Sequence, residues 1–465
     1  MSKLACTTLL VGKNASMDNS TLVGRNEDAG GAINPKKFMV ITPDKQPRHY
    51  QAKETKFAID LLDEPLRYTS TPDANDEYGI YAESGINSAN VAMSASETIT
   101  TNSRILGIDP FVPNGIGEED IVTIVLPYIT SAKAGVLRMG ELLTKYGTYE
   151  SNGIIFSDKN DIWYMETLGG HHWAAVKIPD DAYVIAPNRL NIDDFDFDSD
   201  EYLCSSDLKE FIDTNNLNPD IDGYNLRHIF GSSTIKDTRY NNPRAWYVQK
   251  LFNPEMDNDP RDYELPFICR ANKKISIEDI KFALSSHFEN TDYDVYGNGT
   301  DADKKSFRPI GINRNQETHI LQIRNDVSDE IAGIHWLAYG PNTFNALVPF
   351  YSNVNEVPTS YQNTKSNLTL DNTYWLNRII SLLGDYDYEL YSNLEDTFDQ
   401  KVMSECKNLQ LNSDQKAIKS DNIQNYLATI NEQYAQINWK HTIELLDSMV
   451  KSGSEKMKLR FSLGD

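Results

Sequence analysis

Residues 6–28 read CTTLLVGKNASMDNSTLVGRNED, two apolar runs joined by a polar loop. Ala5–Val11 and Thr21–Asn26 read as strands, and Gly12–Ser20, rich in Gly, Asn, Ser and Asp, reads as the loop between them. Both runs are apolar or small on both faces, as expected of strands covered on two sides. An antiparallel pairing that sets Val11 near Ser20 puts Cys6 opposite Arg25. Opposite residues share a face, with Cβ atoms about 4.5–5.5 Å apart. Thiol and guanidinium would then meet at one end of the hairpin.

The rest of the chain bounds what this pair can serve. The protein has 465 residues, 40% of them hydrophobic, enough for a large core in one extended fold or two to three domains. Its net charge is -24, from 44 Lys+Arg against 68 Asp+Glu, a surface that repels nucleic acid and anionic lipid. The four cysteines, Cys6, Cys204, Cys269 and Cys406, are too scattered for a disulfide framework or a zinc site, which suits a reducing cytoplasm. Only Met1–Ala5 precede Cys6, too few residues for a secretory signal, and no run reaches the roughly 18 apolar residues of a membrane span.

Further along, Tyr78–Tyr81 and Val91–Ser96 suggest a strand pair joined through Gly85-Ile86-Asn87. Glu118–Tyr146 has helical spacing broken by Pro127, with Ser131 placed to cap the second half. Gly153–Ser157, Ile162–Thr167, Trp173–Lys177, Ala182–Ala186, Gly311–Arg324 and Ile334–Ala338 read as strands. After about Leu370 the texture turns helical, over Trp375–Leu383, Glu389–Leu409 and Ile423–Val450. The chain therefore reads as a mixed α/β body, residues 6–365, followed by a helical region, 366–465, with residues 1–5 as a propeptide.

A cysteine thiol has a pKa of about 8.5, so only a few per cent is thiolate at pH 7. If Met1–Ala5 is removed, Cys6 gains an α-amino group of pKa about 7.7–8.0 that can act as its general base. Arg25 can favour the thiolate, and Asp28 can hold the amine. Such a nucleophile needs no histidine, and the eight histidines make no HExxH motif and no visible dyad with Cys6. The plainer alternative is a core cysteine beside a turn salt bridge.

Ala5-Cys6-Thr7-Thr8 with Gly24-Arg25-Asn26-Glu27-Asp28 resembles the opening of the N-terminal-nucleophile (Ntn) cysteine dipeptidases. It is more distantly similar to bile salt hydrolases and penicillin V acylases. Ile185-Ala186-Pro187-Asn188-Arg189-Leu190, Asn242-Pro243-Arg244-Ala245-Trp246-Tyr247 and the stretch Tyr81–Thr98 resemble further dipeptidase segments. The resemblance implies an α+β fold, a four-layer αββα sandwich of the Ntn-hydrolase type, with the C-terminal helical region packed on it. It implies Cys6 as nucleophile, Arg25 beside its thiol, Asp28 on its α-amine, Asn188 as an oxyanion donor and Arg244 as electrostatic support. A second oxyanion donor would be a backbone N–H near Ser96–Glu97. The implied activity is hydrolysis of short peptides through a thioester acyl-enzyme, with no cofactor and no metal. An acylase of N-acyl amides and a non-catalytic interaction module of the same fold are the alternatives. Many relatives expose the cysteine by losing only the initiator methionine, whereas this chain must lose Met1–Ala5.

Other signals carry less. Asp292–Asp303 partly fits a calcium loop, with Tyr296 spoiling the fifth position, and otherwise reads as a solvated acidic loop. His171-His172 reads as a turn between strands. Glu97 or Glu166 could receive a substrate amine. The expected partners are dipeptides, with neither nucleic acid nor membrane, and the size is compatible with a homo-oligomer.

Overall fold

The computed structural model describes residues 6–31 and 33–459, excepting the side chains of Ser96 and Glu97. The expected propeptide, Met1–Ala5, lies outside the described residues. The protein is a mixed α/β fold with antiparallel sheets and a helical C-terminal region.

The opening stretch forms the centre of the larger sheet. β1, Thr7–Val11, and β2, Thr21–Asp28, are buried throughout. They lie mid-sheet among seven strands, in the order Ile268–Cys269, Tyr183–Ala186, β1, β2, Asn315–Ile323, Gly333–Tyr339, Val348–Tyr351. The register differs from the expected one by two residues, with Val11 opposite Leu22 and Thr8, not Cys6, opposite Arg25. Ser20 is held in the loop: its carbonyl accepts from Ser16 Oγ at 2.7 Å and its N–H donates to Asp18 at 3.2 Å. An even shift leaves every side chain on its original face, so Cys6 and Arg25 still share one, now as diagonal neighbours.

The two faces of this sheet are both covered. On one, Leu10 and Val23 join Ile86, Ala92, Ile155 and Tyr164 of a six-stranded antiparallel sheet in a single apolar cluster. On the other, Leu9, Val11 and Leu22 pack with Ile280 and Leu284 of the helix Ile277–Ser285. Gly24 makes that approach feasible, because a Cβ there would stand 2.7 Å from Ile280 Cγ2. Each fully buried aliphatic side chain contributes roughly 1.5–3 kcal/mol.

Tyr78–Tyr81 is not a strand. The partner of Ala92–Thr98 is Ser84–Ile86, and the connection is the turn at Asn87–Asn90. Left-handed backbone at Tyr81 (φ 46°) and Glu83 (φ 55°) ends the extended run before it can pair. Gly85, expected in the turn, instead lets the strand pass close to Thr69, whose carbonyl oxygen would lie 2.0 Å from a Cβ. The break at Pro127 is real. The helix Ile121–Val125 runs into a 3₁₀ turn, Leu126–Tyr128, and Ser131 then caps Ala132–Tyr146 through the Ala134 N–H at 3.1 Å.

The C-terminal helices Thr373–Tyr386, Tyr388–Ala417 and Ile423–Glu455 each start at a side-chain cap, from Asn372, Asp387 and Asn422. They dock on the sheet edge, where Asn431 brackets the backbone of Tyr351, accepting from its N–H at 2.9 Å and donating to its carbonyl at 3.0 Å. Glu395 is buried among these helices. Burial, with Asp396 adding to it and Lys281 opposing, pushes its carboxyl up to about 8. A carboxyl with a raised folded-state pKa stabilises below its unfolded value and loses that contribution as pH climbs to the folded value. Thermal stability should therefore fall from about pH 4.5 to pH 8, by at most about 1.4 kcal/mol per pH unit from this group. Glu395→Gln should raise the melting midpoint at pH 9 and flatten its pH dependence, as read by calorimetry.

Candidate active site

Cys6 stands immediately before β1, fully buried, on the face that looks toward the second sheet. Arg25 Nη2 lies 3.1 Å from its Sγ. The same nitrogen donates to Glu83 Oε2 at 2.8 Å and sits 3.6 Å from Glu118 Oε1. Burial alone would lower the Arg25 pKa, but the charges on Cys6, Glu83, Glu27 and Glu118 carry it well above the ordinary value. Arg25 is therefore a permanent cation against the sulfur, which favours thiolate, while the two carboxylates beside it oppose thiolate.

A second cation lies next to this group. Lys36 Nζ is 2.6 Å from both Glu27 and Asp73 and 3.8 Å from Glu83. Burial pushes the Asp73 carboxyl up to about 6 against the pull of Lys36. Burial and Glu83 together raise Glu27 well above the usual carboxylate range.

Asn188 follows the strand Tyr183–Ala186, which pairs with β1 so that Ala186 faces Thr8. Continuing that register two residues sets Asn188 across from Cys6, while Pro187, lacking an N–H, ends the ladder between them. Arg244, on the helix Asn242–Phe252, ties both strand ends together. Its Nη1 donates to the Cys6 carbonyl at 2.6 Å and Thr7 Oγ1 at 2.7 Å, and its Nη2 to Asn188 Oδ1 and Asn241 Oδ1, both at 2.8 Å. A guanidinium only donates, so it fixes Oδ1 of Asn188 toward itself and turns Nδ2 the other way. One Nδ2 hydrogen goes to the Thr98 carbonyl at 2.9 Å. Thr98 ends a strand whose register slips between Ala95 and Glu97, so a bulge lies where a second backbone donor is expected.

Asp28 closes β2 on the helix-covered face. Arg308 Nη2 bonds its Oδ2, and Asn315 Nδ2 donates to its Oδ1 at 3.1 Å. Arg308 also reaches Thr7 Oγ1 at 3.5 Å, which links Asp28 to the end of β1. The structure thus brings Cys6, Arg25, Asn188 and Arg244 into one hydrogen-bonded set and places Asp28 at the edge of it.

Sequence reasoning missed Glu83, Glu118, Lys36, Arg308 and Asn315. No motif flags them, and only the fold gathers them. Glu166 is held by backbone donors. Its carboxylate accepts from the Asn191 and Ile192 N–H groups at 2.6 and 3.3 Å, so it anchors the segment carrying Asn188. Burial pushes that carboxyl up to about 7. The side chain of Glu97 lies outside the described residues. His171 and His172 both bond Asp109 in a turn, at 3.1 and 2.7 Å. In the calcium-like loop, Asp294 Oδ1 is taken by His287 at 2.6 Å and the Tyr296 N–H at 2.9 Å. Among the described residues no group of three or more His, Cys, Asp and Glu side chains is placed to hold a metal ion. No helix among them is long and apolar enough to cross a membrane.

Residues 5–401 match the family model described as Peptidase family C69. The chain is 56% identical to probable dipeptidase B of Lactococcus lactis, covering 100% of this chain and 98% of that one. It is 54% identical to dipeptidase A of Lactobacillus helveticus over 100% of both chains. It is 40% identical to a dipeptidase of Bifidobacterium longum over 99% of this chain and 100% of that one.

Proposed function

The chain belongs to peptidase family C69, and on that premise we propose that it is a cysteine dipeptidase whose nucleophile is an N-terminal Cys6, exposed by removal of Met1–Ala5. The observation that carries this reading is the buried contact between Cys6 Sγ and Arg25 Nη2, at 3.1 Å. Cys6 would attack the scissile carbonyl, its own α-amine taking the thiol proton. The α-ammonium passes that proton to the departing amine as the C–N bond breaks, and water then hydrolyses the thioester, releasing the acid and the Cys6 thiol. Asp28 would anchor the α-amine, with Arg308 and Asn315 holding the carboxylate in place.

Asn188 Nδ2 would donate its second hydrogen to the oxyanion, and a backbone N–H at the bulge near Ser96–Glu97 would supply the other. Arg244 would act by orienting Asn188 and the Cys6 carbonyl. The two sheets packed against each other, with helices on their outer faces, support a four-layer αββα arrangement for residues 6–365 and a helical region from 366 onward. Four scattered cysteines support a cytoplasmic setting, and the charge of -24 supports partners other than nucleic acid.

A panel of free dipeptides, N-acyl dipeptides, conjugated bile salts and penicillin V tests the reading. Turnover of free dipeptides at least about 100-fold above the acyl compounds supports a dipeptidase. The reverse preference makes the protein an acylase, and no turnover of any of them favours an interaction module.

A further inference from the structure

We propose that Arg189 receives the C-terminal carboxylate of the dipeptide; the inference rests on the dipeptidase reading above.

The Arg189 guanidinium carries five N–H donors, and the residue is 3% exposed. Among the described residues those donors meet one acceptor, Asn242 Oδ1, 2.5 Å from Nη1. Nε is buried without an acceptor among them. The other buried arginines nearby are matched. Arg25 pairs with Glu83, and Arg308 with Asp28. Arg244 donates to oxygens of Tyr240, Cys6, Thr7, Asn188 and Asn241. Arg227 donates to the carbonyls of Asn191, Tyr263 and Leu265. A held guanidinium with spare donors is a receptor for a planar anion, and a carboxylate fits its fork.

Its position suits the leaving side of the substrate. The carboxylate carbon of a dipeptide lies about 3–4 Å from the scissile carbonyl carbon. Its receptor must therefore stand about one residue away from the oxyanion donors. Arg189 directly follows Asn188, the donor proposed above. Consecutive asparagines grip the two: Asn241 Nδ2 donates to the Asn188 carbonyl at 3.1 Å, and Asn242 takes Arg189. Both asparagines lie at the start of the helix whose Arg244 reaches the Cys6 carbonyl. The backbone is held as well, since Asn191 Nδ2 donates to the carbonyls of Pro187 and Arg189 at 3.1 and 2.5 Å. A cation fixed in advance loses little freedom when the carboxylate arrives.

Charge points the same way. Burial, with the like charge of Arg227 adding to it, lowers Arg189 to about 9 against the pull of Asp237, Glu264 and Glu166. The group is still a cation at pH 7, and those acids are engaged elsewhere. Asp237 Oδ2 accepts from Ser232 and Thr234, and its Oδ1 from Asn241. Glu166 accepts from the Asn191 and Ile192 N–H groups, and Glu264 lies 3.2 Å from His228 Nε2. A substrate carboxylate supplies the close counter-charge. A substrate lacking it leaves the guanidinium desolvated and unbalanced, which penalises binding.

The test compares the best-cleaved dipeptide of the panel with its C-terminal amide, on protein whose N-terminus is verified as Cys6. Both substrates keep the free α-amine and the same scissile bond. The wild type is expected to favour the free acid by about 100-fold or more in kcat/KM. Arg189→Gln is expected to cut that ratio below about 10, mainly through the KM of the acid. Should Arg189→Gln fail to fold, Arg189→Lys keeps the buried charge but loses the fork, and is expected to cut the ratio at least about threefold. An unchanged ratio in a folded variant, with both substrates slowed equally, overturns the proposal and leaves Arg189 as a support for Asn188. A wild type that cleaves acid and amide equally overturns it while sparing the peptidase reading. A wild type inert to every dipeptide overturns the reading beneath it as well.

Discussion

The Cys6→Ala variant is expected to retain Met1–Ala5 and to hydrolyse dipeptides at least about 10⁴-fold more slowly than wild type. On the proposed mechanism both losses have one cause, because the sulfur would be the nucleophile in turnover and in the release of its own amine. The fold should survive. Arg25 keeps Glu83 at 2.8 Å, and Arg244 bonds the Cys6 carbonyl, which alanine also offers. A melting midpoint near that of wild type, with intact mass showing the uncut chain, separates lost chemistry from lost structure. Normal turnover by Cys6→Ala would remove the nucleophile from the account. The other cysteines are poorer nucleophiles: burial pushes the thiols of Cys204 and Cys269 up to about 11 and lifts that of Cys406 as well.

Asn188→Ala should lower kcat by about 10²–10³ with little change in KM, the usual effect of losing one oxyanion donor. Alanine also strips Arg244 of an acceptor held at 2.8 Å, so a stability loss could confuse the result. Asn188→Asp keeps an oxygen for Arg244 but replaces the donor with a negative charge and forfeits the bond to the Thr98 carbonyl. Its melting midpoint is therefore read beside its kcat, whose loss should equal or exceed that of Asn188→Ala. A kcat within threefold of wild type in Asn188→Asp would end the oxyanion role.

The central strand pair was legible because its evidence is local. Apolar runs, a polar loop and period-2 alternation place Cys6 and Arg25 on one face, and that conclusion survives a two-residue error in register. Pro127 and Ser131 were legible for the same reason, since each acts on its own backbone. Tyr78–Tyr81 was misread because left-handed backbone at Tyr81 and Glu83 leaves no trace in the hydrophobic pattern. Asn188 and Arg244 were reached through family likeness rather than through spacing. Arg308 and Asn315 were out of reach, because they meet Asp28 only once Asn315–Ile323 pairs with β2, nearly 290 residues away in sequence. Glu83 and Glu118 were hidden in the same way. A glutamate, alone like Glu83 or in an acidic run like Glu118, reads as solvated surface until the fold buries it.

The most direct test of the account is the N-terminal sequence and intact mass of the purified, dipeptide-hydrolysing protein. The account predicts a chain that begins at Cys6, with the free α-amine that serves as its base. Active protein still carrying Met1–Ala5 would contradict it, because Cys6 nitrogen would then be an ordinary amide with no proton-accepting power.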